Sequence, residues 1–138
     1  MILSYTGTRE GMTAKQYETV RRLVHELKPT IAIHGDCMGG DSEFHKIIVE
    51  WKKIQPCILK LYPSSSKTRA YNEDWDIIMP VEAPLVRDRY IAQEGDRLIG
   101  APKQMIEVPR SGTWTTIRYA KWKFNKIVYI VYPNGEVR

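Results

Sequence analysis

Short, uninterrupted apolar runs alternate with helical stretches along this chain, and that alternation most constrains its fold. The runs are "ILSYT" (residues 2 to 6), "TIAIH" (30 to 34), "CILKLYP" (57 to 63), "RLIGAP" (97 to 102) and "KIVYIVYP" (126 to 133). "DIIMPV" between the third and fourth is a short strand or an extended link. Strands covered on both faces read as continuous apolar runs rather than as alternating ones. Between them lie helical segments of roughly 10 to 15 residues. This pattern predicts right-handed βαβ units. The expected fold is α/β, a Rossmann-like three-layer sandwich with a mainly parallel central sheet of about five strands.

The helices carry their own signals. Thr13 with Gln16 three residues on forms a capping box, followed by a stripe of Tyr17, Val20, Val24 and Leu27. Asp41 is expected to cap a second helix lined by Phe44, Ile47, Ile48 and Trp51. Pro84 suits the first turn of a third helix running to about Gln93. Gly112 to about Phe124 is the last, with Thr113, Ile117, Ala120 and Phe124 on one stripe. "SSSKTRAYNED" is a polar loop with few anchors, expected to be mobile, and "NGEVR" is a tail.

With 138 residues, the chain is expected to form one domain with a real hydrophobic core. No apolar run approaches the roughly 18 residues that cross a bilayer. "MILSYTG" lacks a basic leader, so a cytoplasmic protein with no membrane partner is expected. Cys37 and Cys57 make no disulfide framework and have no zinc spacing, and the three histidines show none either. No metal or cofactor is expected. The net charge of +5 is modest and spread along the chain. It suits small anionic ligands as well as nucleic acid.

In folds of this class, ligands bind outside the carboxyl ends of the strands. The loops to search are therefore 7 to 12, 35 to 41, 63 to 72, 80 to 84 and 102 to 112. They hold Gly7, Thr8, Arg9 and Gly11, then Gly35, Asp36, Gly39, Gly40 and Asp41, then Gly112 and Thr113 at a helix start. Glycine admits close backbone approach, and a helix start offers free N–H groups to an anion. No standard phosphate fingerprint is present.

Four stretches, "GTREGMT", "IHGDCMGGD", "VRDRYIAQEGDRLIGAP" and "RSGTWTTIRYA", in this order over nearly the whole chain, resemble the SLOG superfamily. That group joins the DNA-processing protein A family, the YpsA-like proteins and the LOG phosphoribohydrolases. "HGDCMGGD" is similar to the HG-x-x-x-G-x-D element of YpsA-like members. "RDRYIA" and "RSGTWTTIRYA" are similar to the RNRxIA and SGxLxTAxxA elements of DNA-processing protein A. The resemblance implies a single nucleotide-binding domain over residues 1–138. It also implies a pocket formed by Gly7, Thr8, Arg9, Gly35, Asp36, Arg87, Arg89, Ser111, Gly112 and Thr113. The residues themselves add His34 at the strand end, Gly39, Arg110 as a cation, and Trp114 as a base-stacking or core residue. Arg87 and Arg89 lie two apart on one helix and point to different sides.

LOG enzymes carry PGGxGTxxE. Aligned on Gly112 and Thr113, this chain has Pro109 and Arg110 for the two glycines and Thr116 for the glutamate. A threonine hydroxyl supplies no charge for glycosidic cleavage. The leading expectation is therefore a sensor or sequestering protein that binds a nucleotide or a nucleotide-derived signal, ADP-ribose-like or cyclic, without turnover. The chain would act as a homodimer or higher oligomer, and a phage or mobile-element origin would fit. A nucleoside monophosphate N-glycosidase, with Asp36 as its acid, is the first alternative. A single-stranded nucleic-acid binder is the second. His25 and His45 are expected at the surface, Trp51 and Trp122 in packing, and Tyr5, Tyr71 and Trp75 at the pocket mouth.

Overall fold

A computed structural model describes all 138 residues. The six strands are β1 (Ile2–Gly7), β2 (Ile31–His34), β3 (Ile58–Leu61), β4 (Ile77–Ile78), β5 (Arg97–Ala101) and β6 (Ile127–Ile130). The four α-helices are α1 (Ala14–Leu27), α2 (Gly40–Lys52), α3 (Pro84–Glu94) and α4 (Gly112–Arg118). The strands form one all-parallel sheet in the order β4-β3-β2-β1-β5-β6. "DIIMPV" thus supplies a sixth, edge strand. No helix is long and apolar enough to cross a membrane.

The strand order is what places the site. The chain winds outward from β1 to β4, then α3 carries it back across the sheet to β5 on the other flank of β1. The order therefore reverses between β1 and β5. Loops leaving these two strands diverge to opposite faces, opening a crevice at their carboxyl ends.

Each face of the sheet buries its own core. Leu3, Tyr5, Ala32, Ile99 and Ala101 pack with Val20, Phe44, Ile48 and Trp51 of α1 and α2. Ile33, Leu98 and Ile130 pack with Ile91, Trp114, Ile117 and Ala120 of α3, α4 and the turn that follows α4. The split follows the period of two along a strand. Gly100 faces α4, and a Cβ there would come within 2.6 Å of Ile117, so the glycine lets this helix lie close on the sheet.

The capping box of α1 is present. Gln16 N–H donates to Thr13 Oγ1 at 3.1 Å, and Thr13 N–H donates to Gln16 Oε1 at 3.0 Å. Ser111 caps α4 by accepting from Trp114 N–H at 3.3 Å. That helix runs on as a π-helical turn, Tyr119–Lys123.

Several expectations need correction. Gly39, with φ +83°, is the N-cap of α2, and no side chain caps that helix, so Asp41 is not its cap. His45 is buried, not at the surface, and Trp122 is 74% exposed, not packed. The C-terminal tail folds back as a hairpin, with Val131 paired to Val137. The 64 to 74 loop is firmly anchored rather than free. Ala70 N–H donates to Asp36 O at 2.7 Å and Met38 N–H to Thr68 O at 2.9 Å, and Asn72 Nδ2 donates to Asp36 Oδ1 at 2.7 Å.

Candidate functional site

A cavity of about 800 Å³ occupies the crevice between β1 and β5. Thr6 to Glu10 leave β1 to form one wall, and Lys103, Gln104 and Val108 to Arg110 leave β5 to form another. Ser111, Gly112 and Thr113 bring the start of α4 to its edge, and Cys37, Met38 and Asp41 close it from β2 and α2. Pro84, Arg87, Asp88 and Ile91 of α3 complete the wall, with Ser66 and Thr68 from the loop after β3. A second hollow, about 680 Å³, lies along α1 near Arg21, Arg22 and His25. It uses no strand end, and the switch-point cavity is the stronger candidate on that ground.

The outer part of the cavity is cationic. Lys103 pairs with Glu10 at 2.7 Å, whereas Arg9 and Arg110 are exposed and have no carboxylate partner. Arg110 adopts φ +61°, a left-handed conformation costing of order 1 kcal/mol for a residue of this type. It turns the chain directly into α4, whose first N–H groups have no partner within the helix.

The inner wall carries ionisable groups that are mostly buried. Arg87 is 6% exposed and donates from Nη1 to Gly35 O at 2.9 Å and from Nε to Asp88 Oδ1 at 2.9 Å. Asp41 accepts Cys37 N–H on Oδ2 at 3.0 Å. Burial pushes the Asp41 carboxyl up to about 7, only partly offset by that hydrogen bond and by Arg87. Burial also raises Asp88, against the pull of Arg87. Burial, with the nearby Asp41 charge, raises the Cys37 thiol, so Cys37 stays protonated and is not a poised nucleophile.

Of the residues named from the sequence, Gly7, Thr8, Arg9, Arg87, Arg110, Ser111, Gly112 and Thr113 line this cavity. Tyr5 lies in its floor, not its mouth. His34, Gly35, Asp36, Gly39, Arg89 and Trp114 are not among its walls. Asp36 is fully buried and holds Arg69 and Asn72, anchoring the loop after β3. His34 accepts from Asp36 N–H on Nδ1, so its Nε2–H donates to His45 Nδ1 at 2.9 Å, and His45 Nε2–H donates to Glu73 O at 2.6 Å. Burial lowers both histidines, and both stay neutral. Trp75 covers this pair with ring centroids 4.6 and 4.7 Å away, so it does not reach the cavity.

Gly35 and Gly39 serve the site by leaving room. A Cβ on Gly35 would stand 2.1 Å from Arg87 Nη1, and one on Gly39 would stand 2.3 Å from Arg9 O. Trp114 is core, donating from Nε1 to Gln104 Oε1 at 3.1 Å, and Arg89 lies over the Tyr119 ring. Thr116, where a LOG enzyme would place its glutamate, is fully buried and donates to Gly112 O at 3.0 Å. No group of three or more histidine, cysteine or carboxylate side chains is placed to hold a metal ion.

Lys103, Ser66 and Thr68 are among the wall residues that sequence reasoning did not assign to the site, and Asp88, an acid beside the candidate loops, joins them. Asp88 had a signal, since it sits beside an arginine on a helix start that follows a strand. Comparison with protein-family models, with curated proteins and with solved structures returned no match to this chain.

Proposed function

We propose that this protein binds a phosphate-bearing, nucleotide-type small molecule in the switch-point cavity and holds it without turnover, as a sensor or sequestering protein of the SLOG kind. The observation that carries this reading is the placement of Arg9 and Arg110. Two exposed cations with no carboxylate partner stand on the walls of a cavity at the reversal of strand order. Thr8, Ser111 and the N–H groups at the start of α4 add neutral donors. Thr116 supports binding over hydrolysis, because α4 offers no acid to the cavity.

The test is calorimetric titration with inorganic pyrophosphate and nucleoside diphosphates. In the Arg9→Ala/Arg110→Ala double variant, affinity for pyrophosphate is expected to fall at least about tenfold, since each arginine contributes a charge-assisted hydrogen bond. The melting temperature of the free protein should be nearly unchanged, because both side chains are exposed. Undiminished pyrophosphate binding by the double variant would place the phosphate site elsewhere.

One observation favours the enzyme reading, the Asp41 carboxyl held near 7 on the cavity wall, in the range useful to a general acid. Release of free base from nucleoside monophosphates, abolished in Asp41→Asn, would establish it. Ile78, Val81 and Leu85, about 60% exposed beside β4 and at the start of α3, support self-association. Light scattering on the eluting protein is expected to give twice the chain mass, and a monomer at micromolar concentration would remove that part of the proposal.

A further inference from the structure

The inner end of the cavity differs chemically from its cationic rim. Asp41 and Asp88 both line it, with side chains only 8% and 13% exposed. Each has one oxygen engaged by the protein, Asp41 Oδ2 by Cys37 N–H and Asp88 Oδ1 by Arg87 Nε. The other oxygen of each, Asp41 Oδ1 and Asp88 Oδ2, accepts no protein hydrogen bond and is not sealed away from the cavity. The two carboxyls are close enough for the charge of Asp88 to act on Asp41. A separate observation marks the same place. Tyr5 is fully buried and lines the cavity, and its hydroxyl has no hydrogen-bond partner. That hydroxyl sits under Gly7 and Gly40, where added Cβ atoms would stand 2.3 and 2.7 Å from it.

Carboxyl oxygens on a mostly buried wall require donors once a ligand displaces the water around them. The donors that fit are neutral. Arg87 is already bonded to Asp88, and Arg9, Lys103 and Arg110 line the same cavity, so an amine would meet repulsion. Hydroxyl groups carry no such penalty. Two free acceptor oxygens match two adjacent hydroxyl donors.

We propose that Asp41 and Asp88 take the vicinal hydroxyls of a ribose seated over the part of the cavity wall where the Tyr5 hydroxyl lies buried. The ligand is then a ribonucleotide, not a deoxyribonucleotide, held sugar-inward with its phosphates toward Thr8, Arg9 and Ser111. This assignment rests on the reading of the rim as a phosphate site. A cavity of about 800 Å³ has the volume for such a ligand.

The test titrates the full chain at pH 8.5, where Asp41 is ionised, with ribose 5-phosphate, 2-deoxyribose 5-phosphate and inorganic pyrophosphate, which removes the base as a variable. Wild type is expected to bind the ribose compound at least about tenfold more tightly, the effect of one hydrogen bond to a charged acceptor. In Asp88→Asn that ratio should shrink to about twofold or less while pyrophosphate binds as before, because a neutral acceptor holds a hydroxyl less strongly. Asp41→Asn is the second variant, with the same expectation, should Asp88→Asn fold poorly. Equal binding of the two sugar phosphates by wild type, or full discrimination retained in both variants, overturns the ribose subsite and leaves the phosphate site standing if pyrophosphate still binds. Binding of neither sugar phosphate nor pyrophosphate overturns both.

Discussion

Replacing Arg87 with methionine is expected to destabilise the fold by about 3–5 kcal/mol, the usual effect of removing one partner from a buried ion pair. The melting temperature should fall by roughly 10 °C or more in a domain of this size. Arg87 joins three elements. Its Nη1 donates to Gly35 O after β2 and, at 3.4 Å, to Tyr62 O after β3, while its Nε holds Asp88 on α3 itself. Methionine fills the volume but leaves both carbonyls without this donor and leaves Asp88 buried without its cation. The Asp41 carboxyl would also rise further, since Arg87 is one of the groups holding it down. Arg87→Lys should fall between the two, because an ammonium keeps the charge but not the fork that reaches several acceptors. Gly35→Ala gives an independent check. Its Cβ would stand 2.1 Å from Arg87 Nη1 and must displace the guanidinium, at about 1–3 kcal/mol. The two changes break the same contacts, so the double variant should be little worse than Arg87→Met alone. Urea unfolding at pH 7.5 reads the four variants against wild type. An Arg87→Met midpoint near that of wild type, or simple additivity with Gly35→Ala, would mean that the guanidinium is not the brace described.

The layers of this fold were legible because local rules set them. Short runs such as "TIAIH" and "KIVYIVYP" are apolar on both faces, as covered parallel strands must be, and Thr13 with Gln16 announces α1. Much of the cavity was legible for a related reason. Parallel strands put their carboxyl-end loops on one edge, and the loops after β1 and β5 were among those singled out. The errors arose where burial of polar groups decided the outcome. Asp41 reads as a helix cap because it follows "GG" and precedes an apolar stripe, but Gly39 takes the cap position and Asp41 turns into the cavity wall. Asp36 reads as a pocket residue after β2, yet the 64 to 74 loop returns over it from far along the chain. His45 reads as a surface residue of α2 until Trp75, thirty positions later, covers it. Each error involves a partner remote in sequence, which local periodicity does not encode. Trp122 differs. It lies off the Thr113, Ile117, Ala120 stripe, and only its residue type suggested packing.

Asp41→Asn should make the protein more stable at pH 8 by about 2–3 kcal/mol, with the gain vanishing toward pH 4. The carboxyl has an ordinary value of 3.8 and is raised to about 7 in the folded chain by burial. Between those values the folded state holds a proton that the unfolded state has released. Stability from this group is therefore highest below pH 4, falls as pH rises, and is lowest above pH 7. The gap corresponds to about 4 kcal/mol by linkage, and the weaker hydrogen bond from Cys37 N–H to a neutral acceptor takes back about 1. His34 and His45 act with the opposite sign. Their values are lowered by burial, so their contribution is present above about 6.5, the free imidazole value, and is lost as pH falls. Both proteins share them, so the difference between wild type and Asp41→Asn isolates the carboxyl. Urea titrations from pH 4.5 to 8.5 give that difference, and a flat curve, or a loss of stability at pH 8, would refute the assignment. The same variant separates two accounts of why a fold keeps so costly a group. If Asp41 serves only the fold, replacing it improves stability and changes nothing that the protein binds. If it faces a ribose, the more stable variant is the one that no longer tells ribose from deoxyribose.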